Sequence, residues 1–326
     1  MDVALFDRAL RKIPAIGLAT LAGDRVEMAG LGTIAGTPDP GQLRWEIGSI
    51  TKVFTGVLLA EMSLRGEVGL DDPIGRFVPV EVAARLPTPD LQPTLCDLAT
   101  HTAGLPRLPL KWLRTMRGSA DPYAALTEGD VWDALGPKTA RPRRRRSRYS
   151  NYGVGLLGHL LARAAGTTYE ALATDRILEP LGMTATSVDG ADPVPGFRKS
   201  RPTPPWTMGA LAGAGALRST LTDLIGFAGA CLDPPTGTLG EALDLARAPA
   251  YRGRLGISGM GLCWQLRPTP RGRPQGTVWH NGGTYGGASF LAVNPSLRVA
   301  VVAFGNAGPG LTSPLDGPSW KVFDGL

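Results

Sequence analysis

Apolar positions along the chain change their spacing several times, and each change marks an element. Residues 2–12 repeat at helical spacing, which predicts a short amphipathic helix. "IGLATLAGDRVEMAGLGTI" follows, two apolar runs around Ala22-Gly23-Asp24, a hairpin signal. From Ser49 to Arg65 the apolar residues Val53, Val57, Leu58 and Met62 predict a helix, with Gly66 placed to close it. The stretch 71–205 is punctuated by proline and carries helical pieces: "TLCDLATHTAG", "GDVWDALG" and "YGVGLLGHLLARAAG". The last third opens with "GAGALRSTLTDLIGFAGACL", a helix with Ser219 or Thr220 as its cap. It closes on the strand patterns "GTVWHNGG", "ASFLAVNP" and "RVAVVAFGN". The last two flank Asn294-Pro295-Ser296, so they pair antiparallel.

Both chain ends supply strands and the middle supplies helices. The pattern predicts an α/β (α+β) fold, one antiparallel sheet built from both ends, flanked by helices, with a mainly helical domain inserted. The expected division is 1–70 plus 206–326 for the sheet domain and 71–205 for the helical one, with a cleft between them.

Composition narrows the chemistry. The chain has 326 residues and a net charge of +6, much of it in "RPRRRRSR", Arg141 to Arg148. No zinc-finger, RNP or heptad pattern accompanies that run and no aromatics interleave it, so it reads as a solvated basic patch and no nucleic-acid partner is expected. Cys96, Cys231 and Cys263 are isolated, and His101, His159 and His280 lie far apart, which predicts neither a disulfide framework nor a metal site. No apolar run approaches the ~20 residues of a membrane span. The first residues lack the pattern of a leader. A cytoplasmic protein without membrane association is the expectation.

Three short stretches carry candidate chemistry. Ser49 and Lys52 are three apart on one helix face. A serine hydroxyl needs a base, and a buried lysine with a lowered pKa can be one. Taken alone, the pair also reads as a capping serine and a snorkelling lysine. Tyr149-Ser150-Asn151 sits at a loop-to-helix edge, where it can offer a phenol and an amide to a cleft, or simply pack and cap. In "WHNGGTYGGASF", Gly282 and Gly283 leave a strand edge open beside His280, or form a glycine-rich bulge.

Together, the three resemble the signature of the serine β-lactamase and penicillin-binding protein superfamily, in its class C-like branch. S-x-x-K stands as Ser49-Ile50-Thr51-Lys52, Y-x-N as Tyr149-Ser150-Asn151 and the K-T-G or H-x-G element as His280-Asn281-Gly282. "LDDPIGRFVP", "LATHTAGLP", "ILEPLGMTAT" and "GALRSTLTDLIGFA" are similar to the family's intervening sequence, so the resemblance covers roughly residues 40 to 306.

The resemblance implies a β-lactamase/transpeptidase-like fold and an acylated nucleophile at Ser49. It implies that Lys52 and Tyr149 share the proton work, and that Asn151 orients Lys52 and the substrate amide. His280 stands where lysine is more common, and its charge would make carboxylate binding depend on pH. Backbone N–H groups of Ser49 and Gly283 would form the oxyanion hole, with Asn281 and Gly282 beside the substrate. No cofactor is implied.

One departure is the arginine run, which stands where relatives usually carry a Pro-Gly turn. It makes one cleft edge basic and suits an acidic substrate or an acidic carrier protein. His101, in "THTAG", reads as scaffold. The expected function is a serine hydrolase acting on a small-molecule ester, amide or lactam, foremost an intracellular esterase or amidase. The alternatives are a transacylase with an amine or alcohol acceptor, a β-lactamase or D,D-peptidase, and a catalytically silent binding protein.

Overall fold

The computed structural model describes residues 1–326 apart from 117, 140–145, 189–191, 254–258, 269–275 and 309–312, and the side chain of Thr115. Its main sheet has eight strands: β1 (Ala15–Ala22), β2 (Arg25–Gly32), β3 (Tyr251–Arg252), β4 (Gly259–Met260), β5 (Gln265–Leu266), β6 (Val278–Gly283), β7 (Ala288–Asn294) and β8 (Val299–Gly305). They lie in the order β2-β1-β8-β7-β6-β5-β4-β3, every pair antiparallel. The hairpin about Gly23 and the pairing of β7 with β8 follow the sequence pattern. β1 joins β8, so the two chain ends share one sheet.

Helices cover both faces. On one side lie α1 (Thr51–Leu64), α3 (Leu221–Leu232) and α4 (Thr238–Arg247), with α2 (Asn151–Ala165) packed further out. On the other lie the N-terminal turns and α5 (Asp316–Gly325). With no solvated face, β7 and β8 are buried at every position. Their side chains still alternate: Phe290, Ala292, Val301 and Ala303 meet the terminal helices, while Leu291, Val293, Val302 and Phe304 meet the α1 side. This double burial is why the segments read as unbroken apolar runs.

Three local expectations change. Residues 213–232 do not form one helix. Ala212–Gly215 is a single turn, Arg218–Thr220 pairs with Arg44–Glu46 as a short ribbon, and α3 begins only at Leu221. Thr220 is its cap, accepting the Asp223 N–H; Ser219 is a ribbon residue. Residues 94–104 keep only the short helix Leu95–Ala99, opened by a capping box between Thr94 and Asp97. The N-terminal helix is split into a 3-10 turn, Val3–Phe6, and one α turn, Asp7–Leu10.

α1 is buried nearly end to end, and its contacts need small residues. A Cβ on Gly56 would sit 2.1 Å from the Leu262 carbonyl oxygen, so the chain around Leu262 lies directly on the helix. Beyond its C-terminus Gly66 adopts φ +73, with the Gly66 N–H on the Ser63 carbonyl and the Glu67 N–H on the Met62 carbonyl, a Schellman closure.

These two glycines separate two physical effects. Gly56→Ala forces a backbone clash and should lose about 3 kcal/mol, the upper end for overpacking. Gly66→Ala, with open space around its Cβ, should lose only about 1 kcal/mol of left-handed backbone strain. Urea unfolding at unchanged slope measures both; equal losses would contradict the packing account.

Candidate active site

Ser49 sits in the 3-10 turn Gly48–Ile50, which runs straight into α1. β6 is pressed against this turn. Gly48 has φ +50, and a Cβ there would sit 2.8 Å from the Gly283 nitrogen. A Cβ on Gly282 would sit 2.1 Å from the Ile47 carbonyl oxygen and 2.9 Å from the Ser49 nitrogen. Only glycines allow this approach, which sets the backbone at Gly283 directly against the serine turn. β5 pairs with β6 only at Val278 and Trp279. From His280 to Gly283 the strand therefore presents an edge without strand pairing among the described residues.

Lys52 lies one turn further along α1 and is fully buried. Its Nζ donates to Ser49 Oγ at 3.0 Å and to the Ala214 carbonyl at 2.5 Å. That carbonyl comes from the turn Ala212–Gly215, which also accepts Thr55 Oγ1 at Gly213. No carboxylate pairs with Lys52 among the described residues. Burial pushes its amine from 10.5 down to about 7, and the Arg107 guanidinium adds to the shift.

Tyr149 closes the other side. Lys52 Nζ lies 5.0 Å from its ring centroid. Burial pushes the phenol up to about 12, partly offset by its hydrogen bond with Ser49 and by Arg107. Ser49, Lys52 and Tyr149 thus form one cluster in which a hydroxyl touches both an amine and a phenol.

Two imidazoles flank the Tyr149 ring. His280 is 6.2 Å away and His101 4.7 Å, centroid to centroid. His280 is fully buried, and its Nδ1 donates to the Asn281 carbonyl at 2.6 Å. Burial and the nearby Lys52 push its pKa down to about 3. It is therefore neutral at ordinary pH, and the expected pH-dependent charge at this position does not arise.

His101 is the residue that sequence reasoning set aside. Its carbonyl accepts the Arg148 N–H at 2.8 Å and its Nδ1 accepts the Ser150 N–H at 3.3 Å, so it grips the backbone on both sides of Tyr149. It adopts φ +59, and burial pushes its pKa down to about 3. Its position just past the end of a short helix, where a left-handed residue belongs, was the available signal.

Two predicted residues do other things. Ser150 caps α2, accepting the Gly153 N–H at 2.8 Å, which releases the Asn151 side chain. Asn151 then donates to the Tyr123 hydroxyl at 3.1 Å rather than meeting Lys52, and its Oδ1 is buried without a hydrogen-bond partner. Asn281 alternates to the far face of β6 and donates to Asp316 Oδ2 at 2.7 Å, tying the strand to α5. It does not face the cluster.

A cavity of about 340 Å³ opens beside Tyr149, lined by His101, Tyr251, Met260, Leu266 and Trp279. A separate aromatic group includes Tyr123, whose hydroxyl Asn151 meets. Trp206 packs on Tyr123 and Tyr285 at 5.1 and 4.8 Å, and Glu46 fixes it by accepting the Trp206 N–H and the Thr284 hydroxyl. Of the arginine run, 141–145 lie outside the described residues; Arg146 and Arg148 are exposed. Among the described residues, no group of three or more His, Cys, Asp or Glu side chains could hold a metal, and no helix is long and apolar enough to cross a membrane.

The model of the beta-lactamase family matches residues 4–318. A protein named "Beta-lactamase" from Pseudomonas fluorescens is 30% identical over 235 residues, covering 69% of this chain and 61% of that protein. This chain therefore spans about three fifths of that relative. A "Beta-lactamase" from Escherichia coli (strain K12) is 27% identical over 328 residues, covering 87% and 81%. Among solved structures, a class C beta-lactamase aligns with a TM-score of 0.82 at 19% identity, covering 99% of this chain and 94% of that one. A beta-lactamase/D-alanine carboxypeptidase from Yersinia pestis, complexed with citrate, aligns at 0.81 and 23%, covering 98% and 97%. At these identities the structural likeness speaks to the fold.

The buried amine has a thermodynamic signature. The Lys52 pKa in the folded chain lies below its unfolded value, so the unfolded chain binds more protons between pH 7 and 10.5. Stability from this group rises with pH across that window and is lost as pH falls toward 7. Lys52→Met removes the titration. Thermal melts should show the variant gaining most over the parent at pH 7 and least near pH 10; a gain that does not vary with pH would contradict the assignment.

Proposed function

The chain belongs to the beta-lactamase family, and from that premise we propose that it hydrolyses esters or amides through a covalent acyl-enzyme on Ser49. The observation that carries this reading is the Lys52 amine 3.0 Å from Ser49 Oγ, with its pKa lowered to about 7. Such an amine is substantially neutral at pH 7 and can accept a proton.

Ser49 Oγ attacks the substrate carbonyl carbon while its proton passes to the Lys52–Tyr149 pair. The two groups titrate as a coupled unit. The opposed directions of their shifts leave Lys52 the acceptor and Tyr149 a protonated phenol able to relay to the leaving group. The oxyanion would lie against the backbone N–H groups of Ser49 and Gly283, at the N-terminal end of α1. The carbonyl–leaving-group bond then breaks as the leaving atom takes the proton. A water molecule repeats the sequence in reverse, losing its proton to the same pair and freeing Ser49. Asn151, with an unspent amide oxygen, would meet a substrate N–H.

The division into a sheet part, 1–70 plus 206–326, and a helical part, 71–205, belongs to this proposal, since Ser49 comes from one and Tyr149 from the other. The mainly apolar cavity beside Tyr149 suits an ester or amide with an apolar body. A second reading is β-lactam hydrolysis or D-alanine carboxypeptidase action, favoured by the activities for which the relatives are named.

Exposure to a fluorophosphonate, a p-nitrophenyl ester and a chromogenic cephalosporin separates these. The expected result is a mass gain on Ser49, ester turnover that rises with pH through about 7 as Lys52 deprotonates, and slow cephalosporin turnover. Ser49→Ala should lose all three. Cephalosporin turnover faster than the ester would put the second reading first, and no adduct at all would remove both.

A further inference from the structure

We propose that Arg107 recognises a carboxylate on the acyl substrate, making the preferred substrates anionic esters or amides; this rests on the serine-hydrolase reading above. Its guanidinium carbon lies 5.2 Å from the centroid of the Tyr149 ring, whose hydroxyl bonds Ser49. Its charge acts on Lys52, Tyr149 and Tyr123 as well, so it lies close to the catalytic cluster.

The backbone beneath it is fixed. The Arg107 carbonyl accepts the N–H groups of Asn151 and Tyr152, at 3.1 and 3.2 Å, so the residue is pinned to the first turn of α2. That turn also presents Asn151. The side chain is exposed, and among the described residues no carboxylate pairs with it. Arg176 and Arg267, by contrast, are spent: Arg176 binds Glu61 and Glu67, and Arg267 binds Asp324 through both terminal nitrogens. A guanidinium over an aromatic face keeps the N–H groups of its edge free, and that edge matches a carboxylate in a fork geometry.

The two basic side chains buried in the cluster do not take this part. His280, on the strand edge, is neutral above about pH 3 and buried. Lys52 is fully buried, and the proton transfer above needs it uncharged. Arg107, stacked on the Tyr149 ring, is the exposed cation that lies against the reacting cluster itself.

The test uses a matched pair, the p-nitrophenyl monoester of glutaric acid and neutral p-nitrophenyl valerate, on the full chain. The parent should prefer the anionic ester, and added salt should erode that preference. In Arg107→Gln the ratio of kcat/KM, anionic to neutral, should fall on the order of tenfold or more, through KM. Arg107→Lys should fall between, keeping the charge and losing the fork. An unchanged ratio would overturn the assignment. A binding measurement stands apart from turnover: in a Ser49→Ala background, calorimetry should show glutarate binding at least about tenfold weaker when Arg107→Gln is added. Equal affinities there overturn the Arg107 assignment by themselves. Failure of the parent to form any adduct on Ser49 would instead strike the hydrolase reading.

Discussion

An amine with no carboxylate partner among the described residues, enclosed at the junction of a helix, a strand and a loop, is the constraint around which this protein is arranged. Desolvation disfavours the charged form of Lys52, and among the described residues no carboxylate repays it. The Ala214 carbonyl and Ser49 hydroxyl satisfy its hydrogen bonds without supplying a countercharge. Arg107 deepens the effect. Two buried histidines beside it are driven neutral by the same low-dielectric surroundings. The centre is a set of polar groups that avoid charge, with the exposed Arg107 guanidinium beside it.

The architecture follows from bringing these groups together. Ser49 and Lys52 share one helix face, so their spacing is set by α1 alone. Tyr149 arrives more than ninety residues later in sequence, held by His101 on both sides of its backbone. The strand edge arrives last, pressed onto the serine turn through Gly48 and Gly282, where a single added methyl would push the layers apart. The apolar strands behind them carry the burial that makes such close approach stable.

Much of this was legible in the chain. Helical spacing marked α1, the turn at Asn294-Pro295-Ser296 marked β7 and β8, and the three short motifs fell in family order. Other features depend on partners that are distant in sequence. The β3, β4 and β5 strands are two residues each and exist only by pairing with β6 and one another. Asn281 follows His280 directly, yet strand alternation sends it to the opposite face, onto Asp316. Ser150 took the capping role available to Asn151. His101 reads as scaffold in sequence, and its contact with Tyr149 is tertiary, so only its place past a short helix hinted at it.

The central claim is that Lys52 is uncharged at working pH because it is buried. NMR titration of protein carrying ¹³C-labelled lysine, with Lys52→Met used to assign the resonance, measures this directly. The account predicts a midpoint near 7 for Lys52, whereas a midpoint near 10.5, the value of an ordinary lysine, would contradict it.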